Sequence, residues 1–442
     1  ASFRAEVYKM GAWLKNRLSE LGCEVSSHDL GMQELDGQEV QLPPVIVGSI
    51  GKDTSKKTVL VYGHYDVQPA LKPDGWKTEP FELVHDKESD RLYGRGSTDD
   101  KGPILGWLNV LEAHQALGLE LPVNLRFCLE GMEESGSVGL EDFVVQNKDK
   151  LFHDVDAVCI SDNYWLGTNK PCVTHGLRGI AYFKLLISGP AHDLHSGVFG
   201  GVVHEPMTDL VRIMSSLVSP QGKILVPGIE EQVAPLSDDE LKVYDAMEFS
   251  ISDIDNSTGS KSTISDKKSD VLMARMRNPS LSLHGIEGAF GEPGSKTVIP
   301  HKVTGKFSIR LVPNMEPSKV VEAVQKHVES EFSKLNSKNT MKLIPDHPGK
   351  PWCTDPKHWN YEAAFAATEK IYGVRPDLTR EGGSIPITLT FADALQKNVL
   401  LLPMGRSDDG AHSTNEKLDL SNYIKGTQLL GTYLYEVAAV SE

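Results

Sequence analysis

Five side chains spread along the sequence are of the types that hold metal ions: His64, Asp99, Glu134, Asp162 and His412. Two imidazoles and three carboxylates make a mixed nitrogen and oxygen donor set. That set suits zinc, with manganese as the alternative. One catalytic ion with an open position needs fewer protein ligands. Five suffice for two ions roughly 3.5–4 Å apart that share one bridging carboxylate. Asp66 follows closely after His64 and is placed to orient its imidazole through the other ring nitrogen. Glu133 and Glu134 lie between Gly131 and Gly136. In such a loop, one acid can bind a metal while its neighbour holds a water. Taken singly, each of these residues reads as well as a solvated turn, a helix cap or a structural histidine.

Periodicity outlines the elements that must position them. Thr58–Tyr62, Val123–Leu129, Val155–Ile160 and Val399–Leu402 are apolar runs suited to buried strands. Helical spacing marks Val7–Leu21, Ile104–Leu117 after Pro103, Val138–Val145, Tyr361–Ile371 and Asn422–Val440. Strand, loop and helix in repetition predict an α/β domain with a mostly parallel sheet. His64, Glu133, Glu134 and Asp162 then follow strand ends, and Asp99 precedes a helix. Ligands of open α/β sheets bind at the carboxyl edge, so these residues can converge on one crevice.

The middle of the chain reads differently. Ile180–Ile187, Leu281–Gly285, Val303–Val312 and Met341–Ile344 are expected strands, and Glu205–Leu217 and Pro317–Leu335 helices. That order, βαββαβ, is ferredoxin-like. The polar stretch Glu230–Asp270 is expected to be irregular, with one helix near Asp238–Met247. Pro345–Pro351 reads as a linker and Arg380–Ser384 as a turn. The expected organisation is a catalytic domain, 1–177 and 351–442, interrupted by an inserted domain, 178–350.

Composition narrows the function class. The 442 residues are 39% hydrophobic and 24% charged, with a formal charge of -16. That charge argues against nucleic acid or an anionic membrane as partner, and no apolar run approaches a membrane span. Cys23, Cys128, Cys159, Cys172 and Cys353 are odd in number and widely spaced. They predict no disulfide framework and a reducing, cytoplasmic compartment, with Cys128 and Cys159 as core residues. Ala1–Arg4 carries no signal-peptide pattern.

Longer motifs carry a family resemblance. Tyr62–Pro69 (YGHYDVQP), Gly94–Pro103 (GRGSTDDKGP) and Glu130–Ser137 (EGMEESGS) resemble the M20 metallopeptidases. The nearer match is their carnosinase-like branch of cytosolic non-specific and fungal Cys-Gly dipeptidases. Ser161–Trp165, Ala191–Gly197 and Gly410–Glu416 match as well, so the resemblance spans nearly the whole chain. No metal or catalytic position departs from it.

The resemblance implies that His64 and Asp162 hold one metal and Glu134 and His412 the other, with Asp99 bridging through a cis Asp99–Asp100 peptide. It makes Glu133 the general base on a metal-bridging water. The inserted domain becomes a lid that forms a homodimer, sending His195 to the other subunit's site to stabilise the oxyanion. Arg310 would pair with a dipeptide's C-terminal carboxylate. Thr297 and Ser384 would be further substrate contacts, and Glu381 would face the amino group. Two other readings stay open: an N-acyl amino-acid deacylase or aminopeptidase of the same family, and a non-catalytic scaffold.

Overall fold

The run Thr58–His64 is buried at every position. It is flanked by Asn124–Glu130, equally buried, and by Ala157–Ile160. A strand covered on both faces carries apolar residues without alternation. The computed structural model describes residues 3–35, 37–383 and 385–440. They group into two units: Ala1–His175 with Thr354–Thr379 and Ile385–Glu442, and Gly176–Cys353 with Arg380–Ser384.

The sheet of the first unit runs in the order Glu24–His28, Val45–Ile50, Asn124–Glu130, Thr58–His64, Ala157–Ile160, Asn398–Leu401, Cys172–Leu177. The four strands from Asn124–Glu130 to Asn398–Leu401 are parallel. Their flanks are antiparallel: Val45–Ile50 pairs with Asn124–Glu130, and Thr174 with Leu401. The mostly parallel sheet expected from the sequence is therefore mixed, a parallel centre between antiparallel edges. Alternate residues face opposite ways. Val59 and Val61 join Leu14, Trp107, Tyr361 and Tyr433 in one core. Tyr62 meets Phe391 of the helix Pro386–Leu395, with ring centroids 5.7 Å apart.

Because the central strands are parallel, their C-termini share one edge. His64 is the last residue of its strand, and Glu133 and Glu134 lie in a single 3₁₀ turn shortly after Glu130. Asp162 follows Ile160 closely, and Asp99 precedes the helix Lys101–Leu117.

The second unit is a four-stranded antiparallel sheet in the order Ser280–Glu287, Lys302–Leu311, Gly179–Ser188, Thr340–Gly349. Helices Pro206–Ser215 and Pro317–Lys334 pack on it. Burial alternates strictly along Gly179–Ser188, as one covered face requires. Phe183 and Phe307 stack at 5.0 Å in its core. Elements and strand order are those of the split βαβ arrangement.

Two expectations are corrected here. Residues 345–349 are not linker but the end of the strand Thr340–Gly349. That strand lies at the sheet edge, where a residue without an N–H breaks no ladder. The stretch Glu230–Asp270 is also more helical than expected, with Asp238–Ala246, Ile251–Thr258 and the start of Lys268–Met276. Its serines and aspartates serve as caps: Ser237 accepts from the Glu240 N–H at 3.1 Å, and Asp253 from the Ser250 N–H at 2.8 Å.

Candidate metal centre

Asp99 stands between two imidazoles. Its Oδ1 lies 3.0 Å from His64 Nε2, and its Oδ2 lies 3.1 Å from His412 Nε2. His64 Nε2 is also 3.7 Å from Asp162 Oδ1, and His412 Nε2 is 3.1 Å from Glu134 Oε2. Two clusters result, His64–Asp99–Asp162 and Asp99–Glu134–His412, each with ligand atoms within 4.8 Å of one another. All five expected ligands are thus brought together, with one carboxylate common to both clusters. Three carboxylates against two imidazoles is a donor set that divalent cations fit.

A third acidic cluster, Asp408, Asp409 and Asp419, differs in kind. Buried Lys417 sits at its centre, with Nζ 2.9 Å from Asp408, 2.6 Å from Asp409 and in contact with Asp419. Its charge is met by that ammonium together with the guanidiniums of Arg91, which lies 3.6 Å from Asp408 and 3.4 Å from Asp419, and of Arg406, 3.5 Å from Asp419.

Local sequence explains how the loops approach one another. A Cβ on Gly63 would lie 2.7 Å from Asp100 Oδ2, which accepts the His64 N–H at 3.2 Å. A Cβ on Gly131 would lie 2.5 Å from the Tyr65 ring. Glycine is needed at both positions by close packing. The Asp99–Asp100 peptide is cis, as the resemblance implies.

Asp66 does more than the sequence suggested. His64 Nδ1 lies 3.1 Å from the main-chain carbonyl of Asp66 and 3.4 Å from its carboxylate. The two carboxylate oxygens accept instead from the N–H groups of Glu133 at 3.2 Å and Glu134 at 3.1 Å. Asp66 therefore fixes the glutamate turn as well as the imidazole.

Two positioning residues escaped the sequence reading. Gln68 holds both oxygens of Glu134, by its N–H at 3.0 Å and its Nε2 at 2.7 Å. Fully buried Glu416 accepts from Arg95 at 2.8 Å and from the N–H groups of Gly96, Thr98 and Asp99. The one available signal was their place inside the motifs Tyr62–Pro69 and Gly410–Glu416.

The electrostatics follow from burial and close opposite charges. Burial alone would lower the His64 pKa, but Asp162, Asp66 and Asp99 raise it well above the usual range. Hydrogen bonds to Asp99 and Glu134 lift His412 to about 10. Burial, opposed by His64, brings Asp162 to about 6. Burial also works to raise Asp99, yet hydrogen bonds to His412 and His64 hold it well below the carboxylate range. Glu133 is pushed well above its ordinary value, first by burial and then by the carboxylates of Asp162, Glu134 and Glu130 against an opposing His64.

The remaining expected site residues belong to the second unit. Exposed His195 pairs with Val298 in a short two-stranded ribbon, beside Thr297, whose carbonyl accepts the Ser196 N–H at 3.1 Å. His195 Nδ1 accepts the Gly197 N–H at 3.0 Å. Half-buried Arg310 lies in register between Ile180 and Ser280. The Glu381 carboxylate accepts the Gly382 N–H at 2.6 Å and lies 3.5 Å from Arg275. Ser384 lies outside the described residues.

Comparison with known proteins gives the family. Residues 60–436 match peptidase family M20/M25/M40. The Cys-Gly metallodipeptidase DUG1 of Candida albicans is 57% identical over 98% of this chain and 90% of its own length. The human Beta-Ala-His dipeptidase is 47% identical over 99% of this chain and 86% of its own. The solved structure of the dipeptidase Dug1p from Saccharomyces cerevisiae superposes with a TM-score of 0.93 at 53% identity, covering 100% of this chain and 93% of that one.

Proposed function

The chain belongs to peptidase family M20/M25/M40 and is a metal-dependent dipeptidase, and from that premise we propose that it hydrolyses dipeptides with a free C-terminal carboxylate, Cys-Gly among them, with Glu133 as general base. The observation that carries this reading is the shared carboxylate of Asp99, one oxygen toward each imidazole, with Glu133 in the same turn as Glu134.

His64, Asp162 and Asp99 would hold one divalent ion, and Asp99, Glu134 and His412 a second. Zinc suits the donors best, and manganese is the alternative. Bound ions supply Lewis acidity, acidifying a water and polarising the scissile carbonyl. Glu133 accepts the proton of the attacking water on its carboxylate and returns it to the leaving nitrogen. Its raised pKa supports the role, because a carboxylate in a dry site is a stronger base than one in water. Asp66 keeps that carboxylate in place through the main chain of the turn.

Arg310 pairs with the C-terminal carboxylate of the substrate, with Thr297 and Ser384 as further contacts and Glu381 toward the amino group. The second unit acts as a lid and forms a homodimer, through which His195 of one copy reaches the site of the other and stabilises the oxyanion. Its exposure and its place beside Thr297 on one ribbon support this reading. A cytoplasmic location is consistent with cysteines that are all thiols. Among the described residues, no helix is long and apolar enough to cross a membrane.

Glu133→Gln tests the central assignment. Metal content should stay at two ions per chain while kcat falls roughly a hundred- to ten-thousandfold. Near-normal turnover would exclude Glu133 as the base.

A further inference from the structure

Arg178 stands just before the strand Gly179–Ser188 and ties together three segments of the second unit. Its main-chain N–H donates to Glu381 O at 3.2 Å, and its Nε to Gly382 O at 3.1 Å. Its Nη1 reaches Ala274 O and Ser280 Oγ, both at 3.2 Å, and Asn278 O at 3.5 Å. A Cβ on Gly382 would lie 2.8 Å from Arg178 Nη2, so the guanidinium fills the space a side chain there would need.

Two of the strands that Arg178 adjoins flank one residue. Arg310 is paired with Ser280 on one side and with Ile180 on the other. Ser280 is held by the Arg178 side chain, and Ile180 lies two residues after Arg178, at the start of the strand that Arg178 precedes. The Glu381–Gly382 segment is held by the same guanidinium and, through Glu381, lies against Arg275. Burial and then the neighbouring charge of Arg310 bring the Arg178 pKa down to about 10. It stays protonated at neutral pH, and its field adds to that of Arg310.

We propose that Arg178 is a positioning residue for the carboxylate end of the substrate, fixing the strands on either side of Arg310 as one rigid anion-binding corner, adding positive potential to it and tying the Glu381–Gly382 segment beside it. This rests on the assignment of Arg310 as the carboxylate partner. A planar fork reaching several acceptors at once is what arginine offers and lysine does not.

The test compares wild type, Arg178→Ala, Arg178→Lys and Arg310→Ala, metal-loaded, on a dipeptide and on its C-terminal amide. Arg178→Ala should raise KM for the dipeptide roughly ten- to hundredfold. Its kcat should change little, and its kinetics on the amide should match wild type. Arg178→Lys, keeping charge without the fork, should fall between. Equal losses on both substrates, or a loss in kcat alone, would make Arg178 a structural residue and overturn the proposal. If Arg310→Ala loses activity equally on the dipeptide and on the amide, the Arg310 assignment itself is wrong, whatever Arg178 does. If Arg178→Ala does not fold, Gly382→Ala decides. It keeps the guanidinium but presses on Nη2, and should raise KM for the dipeptide selectively; an unchanged KM would overturn the proposal.

Discussion

Both carboxylate oxygens of Glu134 are held by Gln68, Oε1 through the main chain and Oε2 through the side-chain amide. Asp66 grips the same turn from its N–H groups. The short segment from His64 to Gln68 therefore sets one proposed ligand directly and orients another.

Replacing Gln68 with leucine should leave the fold intact and weaken the second ion roughly ten- to hundredfold. Competition with a calibrated chelator measures this without any assay of turnover. An unchanged affinity would show that Glu134 is positioned by the ion alone.

Proton release should accompany metal binding. The His64 pKa is raised well above its ordinary value and that of His412 to about 10. At pH 7 the metal-free protein carries both imidazoles protonated, and an ion takes only the neutral ring. Affinity should rise with pH between 6 and 8, and fall further below 6 as Asp162 takes up its proton. Calorimetry in two buffers of different ionisation enthalpy counts the protons; none released would refute the expectation. Stability of the metal-free protein should run the opposite way. The His412 contribution is complete below the unfolded value of about 6.5 and is lost as pH rises through about 10. Melting of the apo protein should therefore fall from pH 7 to pH 10.

Glu416→Ala should be costly. It strips a buried Arg95 of its carboxylate and leaves three main-chain N–H groups of the Asp99 loop unanswered. Breaking a buried pair in this way costs about 3–5 kcal/mol, which denaturant titration resolves. A loss under about 1 kcal/mol would place the pair among exposed ones.

The thiols should separate by access. Cys353 is exposed, while Cys23, Cys128, Cys159 and Cys172 are buried, and burial lifts the Cys23 thiol to about 12. A thiol reagent should modify one cysteine quickly in the native protein and five after unfolding. Fast native modification of a second would mean that a core strand opens.

The grouping of the five candidate ligands was legible because their chemistry admits few residue types and because parallel strands end on one edge. His64, Asp162 and one of the two glutamates at 133 and 134 need nothing more than that rule. Gln68 and Glu416 were hidden because they bind main-chain groups or another side chain, a task many polar residues perform. The strand through Pro345 was missed because proline is tolerated only at an edge, and strand order is not written locally. The helices at Asp238–Ala246 and Ile251–Thr258 were underestimated because serine and aspartate signal both loops and caps. The division of labour between Glu133 and Glu134 came from motif resemblance, since spacing treats the two alike.

Asn398–Leu401 sits between Ala157–Ile160 and Cys172–Leu177 in the sheet. During synthesis, a chain elongated as far as Cys353 contains every strand of the second unit's four-stranded sheet but lacks a central strand of the first. Domains fold as units, and long-range pairings form late. The later unit in sequence can therefore mature first, while the earlier one stays open until Asn398–Leu401 emerges, with His412 shortly after it. A chain that stops short of His412 then holds only four of the five proposed ligands.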